Sequence, residues 1–470
     1  MSDAQADRGH DHEYGFLDDL DLAGAISFDE TYRTDRSEDY GTPASDDRRP
    51  DAVVWPATTE DVSKVLAACD ERGIPVTPYA AGSGLEGGSV PAAGGVSLDL
   101  TRMDEIIDVR PEDLQVDVQA GVVGGDLNEA LGDHGLFFPP LPSSGEFSTI
   151  GGMIATDASG MKTVKYGEVA DWVLELEAVL ADGTVVELGS KAIKTSSGYN
   201  LKDVVIGSEG TLAIVTRATL RLAGIPEQKV AGRAVFPDLE AATNAVADAV
   251  TSGVDVATIE LIDEVSAAMA NDYAGLDLPD APMTFVEFHA DHGVEEEVEF
   301  CRTVFEAHGV ERFETSSDER EMADLWQARK DLAYAADEWD EDLRRHKFGD
   351  VTVPISRYAE LIRGVKAIAE EHGFVAPCFG HAGDGNLHYT VMLDVDDPDA
   401  EAVADEVYAE VCRRALELDG TVTGEHGIGE GKRKFMREEH GDAVDLMRRV
   451  KHAFDPNGTL NPGKVLPDEG

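Results

Sequence analysis

The sequence predicts an α+β protein in two parts: a strand-rich N-terminal part with little helix, then a second α+β part of ferredoxin-like rhythm. Three observations carry this prediction. Short stretches of alternating apolar residues crowd the first half of the chain, a Gly/Pro break at AGIPEQ (223–228) interrupts them, and strands alternate with helix-length segments beyond it.

The elements follow in order. Residues 1–50 are rich in Asp, Ser, Arg and Gly and read as a partly ordered extension wrapping the surface. TTEDVSKVLAACDERG reads as a helix, with Thr59 as cap, acids in its first turn, and Val62, Val65, Leu66 and Cys69 on one face. IPVTPYA is a short strand running into the glycine-rich AAGSGLEGGSV. GGVSLDL and LQVDVQAGV alternate as strands, VLELEAVLADGTVVEL folds back at Asp182-Gly183 as a hairpin, and GSEGTLAIVTRATLRL reads as a further Gly-led strand pair. Past the break, KVAGRAVF, ATIELI and MTFVEFHA alternate with helical segments at 238–252, 263–271 and 294–308. A last helix around 440–454 leads into DPNGTLNPGKVLP, too irregular to form core on its own.

Composition narrows the function. With 39 basic and 94 acidic residues the formal net charge is -55, distributed along the whole chain. Such a surface repels nucleic acid and anionic lipid. Its self-repulsion points to folding in concentrated salt, where the Debye length falls to about 3 Å at 1 M; a generic acidic protein is the alternative. Cys69, Cys301, Cys378 and Cys412 form no CxxC pair, which argues against an iron–sulfur cluster or zinc ribbon. No apolar run reaches the roughly 18 residues of a membrane span, and the polar N-terminus lacks a signal-peptide core. The expected location is the cytoplasm, with peripheral attachment at the inner face of the membrane as a variant.

Two C-terminal motifs carry chemistry. In HAGDGNLH (381–388), counting outward from an Asp384-Gly385 turn sets His381 directly opposite His388, near enough for two imidazoles to share one divalent metal. In GEHGIG (424–429), Glu425 offers a carboxylate ligand and His426 a general base. The bland readings stay open: lone strand histidines are usually structural, and a Gly-rich loop is often only solvated. In PYAAGSGLEGGSV (78–90), clustered glycines would let backbone N–H groups turn toward one anion such as a pyrophosphate. It matches neither GxGxxG in a βαβ setting nor a P-loop, and a set of tight turns is the alternative. A second loop, STIGGMIATDASG (148–160), repeats its character.

The order of PYAAGSGLEGG, FPPLPSSGEFSTIGGMIATDASG, KYG, GYNLKDVVIGSEGTLAIVT, LWQAR, HAGDGNLH, GTVTGEHGIGEGK and DPNGTLNPGKVL resembles that of the FAD-linked oxidoreductases of the vanillyl-alcohol oxidase type. Within that family it is similar to the D-lactate dehydrogenases that pass electrons to cytochrome and to the FAD subunit of glycolate oxidase. The resemblance runs from about Pro50 to Leu466. It implies an FAD-binding domain over 51–225, a ferredoxin-like substrate (cap) domain with a metal site over 226–425, and a segment, 426–470, returning to the FAD domain.

The resemblance also assigns residues. Pro78, Tyr79, Ala80, Ala81, Gly82, Ser83, Gly84, Gly88 and Ser89 would cradle the FAD pyrophosphate; Ile150, Gly151, Gly152, Gly160, Tyr166, Glu209, Gly210, Ile214 and Asn461 would line the flavin. His381, His388 and Glu425 match zinc or manganese ligands, His426 the catalytic base, and Arg329 in LWQAR the arginine that clamps a substrate carboxylate. Tyr79 and Ser83 stand where many relatives have Arg and Thr. The loop has no His or Cys, so the FAD is expected to be noncovalent. Thr390 stands where some relatives for larger hydroxyacids carry Asn, which leaves the substrate's far end open, and Lys347 is expected as a second carboxylate contact.

The implied reaction is oxidation of a D-2-hydroxy acid, D-lactate first, with glycolate and D-2-hydroxyglutarate as alternatives. Electrons then pass to an external carrier: an electron-transfer flavoprotein, a quinone-linked iron–sulfur protein or a cytochrome. A metal-dependent hydrolase built on His381, His388 and Glu425, and a noncatalytic subunit, are the rivals from other classes.

Overall fold

The computed structural model describes residues 14–330 and 332–468, so positions 1–13 of the expected extension lie outside the described residues. Two units are distinguished along the chain. The first comprises Met1–Ala158, Glu168–Ile225 and Glu425–Gly470; the second comprises Ser159–Gly167 and Pro226–Gly424.

In the first unit, the alternating stretches become strands β1 (Ala25–Ser27), β2 (Ala52–Trp55), β3 (Val76–Tyr79), β4 (Val96–Asp99), β5 (Ile106–Arg110), β6 (Gln115–Gln119), β7 (Leu136–Phe137), β8 (Val173–Val179), β9 (Val185–Gly189), β10 (Ile214–Arg221) and β11 (Ala223–Gly224). One sheet runs β1-β2-β4-β3, with β2, β4 and β3 parallel. A second, antiparallel, runs β5-β6-β10-β8-β9, and β7 pairs with β11. The helix Thr59–Asp70 buries Val62, Val65, Leu66 and Cys69 completely, in one cluster with Val54, Val76, Leu98, Val179 and Ile214.

Two expectations for this unit, the helix cap and a strand pair, are corrected, and two others are filled in. The helix cap is Thr58, whose extended backbone (φ -141°) lets its hydroxyl accept from Asp61 N, while Thr59 bonds Glu177. GSEGTLAIVTRATLRL supplies one long strand, β10, because its apolar residues pair on both sides, with β6 and β8. The described part of the extension is folded: Leu17 is fully buried in the core cluster and β1 pairs with β2. The irregular C-terminal segment also enters the core, where Leu460 is fully buried and bridges Val76.

The second unit holds β12 (Gln228–Val235), β13 (Thr258–Ile262), β14 (Met283–Ala290), β15 (Arg312–Ser316), β16 (Leu343–Arg345), β17 (Gly349–Thr352), β18 (Cys378–His381), β19 (Asn386–Tyr389) and β20 (Met392–Asp394). Seven of these form an antiparallel sheet ordered β15-β12-β14-β13-β18-β19-β17. Its first four strands, joined through helices Leu239–Thr251, Glu264–Ala274 and Val294–Ala307, have the ferredoxin-like order, fourth, first, third, second. β18, β19 and β17 extend that sheet. Register sets Glu314, Arg233, Phe285, Glu260 and His381 in one row across it. By the two-residue period of strands, Glu287 and His289 share that face.

Asp39 shows what the folded extension does. Its backbone pairs with Thr42, and between them Tyr40 N and Gly41 N donate to the carbonyls of Gly82 and Gly84 in the glycine loop. Only 7% of Asp39 is exposed, and burial pushes its carboxyl up to about 6 against hydrogen bonds from Thr42. A native value above the unfolded one means the folded chain binds more protons. Stability therefore falls as pH rises from about 4 to 6 and stays lower above. Asp39→Asn is expected to raise unfolding free energy by about 2 kcal/mol at pH 8 and to change it little at pH 3. Urea titrations at both pH values check this, and an equal gain at the two would contradict it.

Candidate functional site

In the first unit, β3 delivers Pro78 and Tyr79 to the glycine loop, where Ala80, Ala81, Gly82, Ser83, Gly84, Gly88 and Ser89 follow. Ser83 Oγ lies 3.0 Å from Ser148 Oγ. The turn before β10 holds Glu209 and Gly210. At Gly210 (φ +67°) a Cβ would fall 2.4 Å from Pro78 Cγ, so only glycine lets this turn approach the loop's entry. Asn461 joins the pieces: its Nδ2 donates to Gly88 O (2.9 Å) and Glu209 O (2.7 Å). Ser89 Oγ and Asn461 Oδ1 are buried without a hydrogen-bond partner. Orphaned buried polar atoms beside a glycine loop fit a polar ligand such as FAD, whose oxygens and ring nitrogens would satisfy them.

The second glycine stretch is not a loop like the first. Ile150–Thr156 forms a helix capped by Thr149, and Ile150 N and Gly151 N donate to Val122 and Ala120. Gly160 and Tyr166 belong to the second unit, whereas the other residues expected around FAD stand in the first.

The second unit gathers two of the expected residues, His381 and Arg329, around one buried acid. Glu260, on β13, has no exposure. Its Oε1 is 2.7 Å from His381 Nδ1, and its Oε2 accepts from Arg329 Nε at 2.7 Å and lies 2.7 Å from Nη2. Arg329 comes from the helix Glu319–Lys330, lies over the Phe379 ring (4.9 Å), and is 5% exposed. Burial would raise the Glu260 carboxyl, but His381 and Arg329 outweigh it and bring it down to about 2. With Nδ1 committed to Glu260, His381 has Nε2 as its metal-ligating atom, the arrangement in which a carboxylate fixes the tautomer of a metal histidine.

His388 stands close by, its ring centroid 5.0 Å from that of His381 and nearly perpendicular. The pair is not directly opposed, as the turn count predicted. His388 pairs with Phe379, because Ala382–Asp384 forms a 3-10 turn closed by Gly385 in the left-handed region, giving a four-residue connection. The two-residue offset keeps both histidines on one face. Asp350, on β17, faces His388 Nδ1 at 3.9 Å and is held by Asn386 Nδ2, Thr423 Oγ1 and Gly424 N. Two imidazoles, one oriented by a carboxylate, form a donor set that fits zinc or manganese. The chain passes from Gly424 into the first unit at Glu425 and His426.

Lys347 is exposed and its Nζ pairs with Asp405 at 3.0 Å, while the Thr390 hydroxyl is buried and donates to the carbonyls of His346 and Lys347. Sequence reasoning missed Glu260, Asp350 and a chain on the Glu260 face, in which Tyr166 Oη lies 2.8 Å from His289 Nδ1 and His289 Nε2 lies 2.5 Å from Glu287. Burial lowers His289 and raises Tyr166 to about 12, so both are neutral near pH 7. The signal for Glu260 was an acid inside the otherwise apolar ATIELI. A cleft of about 450 Å³ lined by Arg233, Phe285 and Glu314 holds none of the predicted residues.

Comparison with known proteins adds the family. A model described as FAD binding domain matches residues 50–189, and one described as FAD linked oxidases, C-terminal domain, matches 225–465. The chain is 40% identical over 424 residues to a probable mitochondrial D-lactate dehydrogenase of Danio rerio, covering 89% of this chain and 85% of the relative. It is 34% identical to the glycolate oxidase subunit GlcD of Bacillus subtilis, covering 95% of each. The structure of p-cresol methylhydroxylase shares the fold, with a TM-score of 0.77 at 17% identity over 99% of this chain and 97% of that one.

Glu260→Gln is expected to weaken zinc or manganese binding by about 10- to 100-fold, because the amide no longer fixes the His381 tautomer as a carboxylate does. Isothermal titration of the FAD-loaded protein measures this. Unchanged affinity would remove Glu260 from the metal-binding role.

Proposed function

Because the chain belongs to the FAD-linked oxidases, sharing their FAD binding and C-terminal domains, we propose that it oxidises a D-2-hydroxy acid, D-lactate first, to the 2-oxo acid. That it is an FAD-linked oxidoreductase follows from the family; substrate, handedness and acceptor are our reading. The observation that carries it is the Glu260 carboxylate, which ties His381 and Arg329 together in one dry cluster.

Each residue has a role. Arg329 meets the substrate carboxylate with the part of its planar fork that Glu260 does not occupy, so the acid is held in a fixed orientation. FAD, which the glycine loop and Asn461 would hold, would supply the two-electron acceptor for oxidation at C2. His381 and His388, with Glu425 as the third ligand, would hold zinc or manganese, which would supply Lewis acidity toward the 2-hydroxyl. His426 accepts the hydroxyl proton, a contribution of typically 10²- to 10⁴-fold. Phe379, stacked under Arg329, excludes water from the guanidinium and strengthens its pull on the carboxylate.

Electrons then leave to an external carrier, an electron-transfer flavoprotein, a quinone-linked iron–sulfur protein or a cytochrome. The relative named mitochondrial D-lactate dehydrogenase [cytochrome] of Arabidopsis thaliana, 36% identical, supports such a carrier. No helix among the described residues is long and apolar enough to cross a membrane. A second reading, glycolate as substrate, is favoured by the similarity to GlcD.

The test is an anaerobic visible spectrum of the protein purified in high salt, before and after addition of each acid. Bleaching of the flavin band by D-lactate and not L-lactate is the expected result. Bleaching by glycolate or D-2-hydroxyglutarate alone would move the substrate. A folded protein carrying no flavin would refute the redox reading and favour the metal-dependent hydrolase.

A further inference from the structure

The GEHGIG stretch is an exposed-looking glycine loop in sequence, yet in the first unit its end and the residues that follow are fastened at several points. Glu430 N donates to Glu86 O at 2.8 Å, Lys432 Nζ reaches Glu86 Oε1 at 3.3 Å, and Val465 N donates to Gly429 O at 2.9 Å. Two consecutive N–H groups just past His426 are held by one side chain. Glu209 Oε1 accepts from Ile428 N at 2.7 Å, and Glu209 Oε2 accepts from Gly429 N at 2.8 Å.

The sequence is built around that carboxylate. Glu209 takes φ +52°, uncommon for a residue with a side chain, and is kept there by Glu209 N on Ala155 O (2.7 Å) and Asn461 Nδ2 on its own carbonyl. A Cβ at Gly427 would lie 3.0 Å from Glu209 Oε1, and one at Gly88 would lie 3.0 Å from Oε2. Glycine on both sides is what lets the carboxylate sit between the cofactor loop and the His426 loop. Only 7% of Glu209 is exposed. Burial pushes its carboxyl up, and the two N–H donors with Lys464 and Lys432 oppose that.

We infer that Glu209 is the positioning residue for His426, holding the loop behind the base through both carboxylate oxygens rather than facing the flavin. The inference rests on the reading of His426 as the base. A base must lie within hydrogen-bond reach of the proton it takes, and a displacement of about 1 Å costs on the order of 100-fold in rate. One side chain binding two consecutive N–H groups fixes the direction of the chain as well as its position, which a single bond does not.

The test uses Glu209→Gln, which keeps shape but offers one acceptor where two N–H groups need one each. Amide exchange of the peptide spanning 425–432 in the substrate-free, FAD-loaded protein is expected to quicken at least about 10-fold. Flavin reduction at saturating D-lactate, counted per bound FAD, is expected to slow by about 10- to 100-fold with KM within about threefold. Combined with His426→Asn, the same change should add less than about twofold, since a clamp acting through a base has nothing to act on when the base is absent. Gly427→Ala, whose new Cβ displaces the same oxygen, provides a second way to break the contact should Glu209→Gln fail to fold. Unchanged exchange, or a loss that multiplies fully with His426→Asn, overturns the inference. A wild-type reduction rate in His426→Asn alone overturns the base assignment instead, and the exchange measurement stands apart from it.

Discussion

Glu260 is a carboxylate with no exposure to water in the middle of an antiparallel sheet. Removing such a charge from solvent costs several kcal/mol unless its partners replace the lost hydration. Arg329 and His381 are those partners, and their positions follow from this requirement. Arg329 lies at the far end of a helix that places Trp326 near Phe285, 6.3 Å between ring centroids, so the helix packs with its cation over the acid. His381 must present Nδ1 to the same acid, which settles the way its ring points.

The first unit answers a similar demand with backbone N–H groups first, and with Lys464 and Lys432 behind them. There a buried acid, Glu209, takes two amide N–H groups, and Asn461 ties its carbonyl to the glycine loop. Small residues make room for this: a Cβ at Gly427 or at Gly88 would lie 3.0 Å from one of the Glu209 oxygens. The clustered glycines of the two loops therefore share one cause, although they lie far apart along the chain.

How much of this was legible follows from the range of each signal. The helix face of Val62, Val65, Leu66 and Cys69 and the alternating strands were visible because side-chain period is local. The Thr58 cap was not distinguishable from Thr59, since adjacent threonines offer the same chemistry and only the backbone angle separates them. The Asp384-Gly385 turn was visible but its length was not: Ala382 and Gly383 fit a 3-10 turn as well as a strand end, and the register moved by two. Arg329, His381 and His388 were found through ordered motifs. Glu260 was not, because an acid in a strand declares its burial only through partners from distant parts of the sequence.

The pairing of Val76 with Leu460 has a consequence for how the protein is made. Synthesis runs from the N-terminus, so β3 emerges long before the residue that lies beside it. Residues Pro226–Gly424 are complete while the first unit still lacks Glu425–Gly470. On the ribosome the inserted unit can therefore close first, and the earlier strands must wait with apolar faces uncovered. Chain growth thus leaves the cofactor-loop half exposed to aggregation for the longest time, and its heavy negative charge, by keeping nascent chains apart, protects it during that interval.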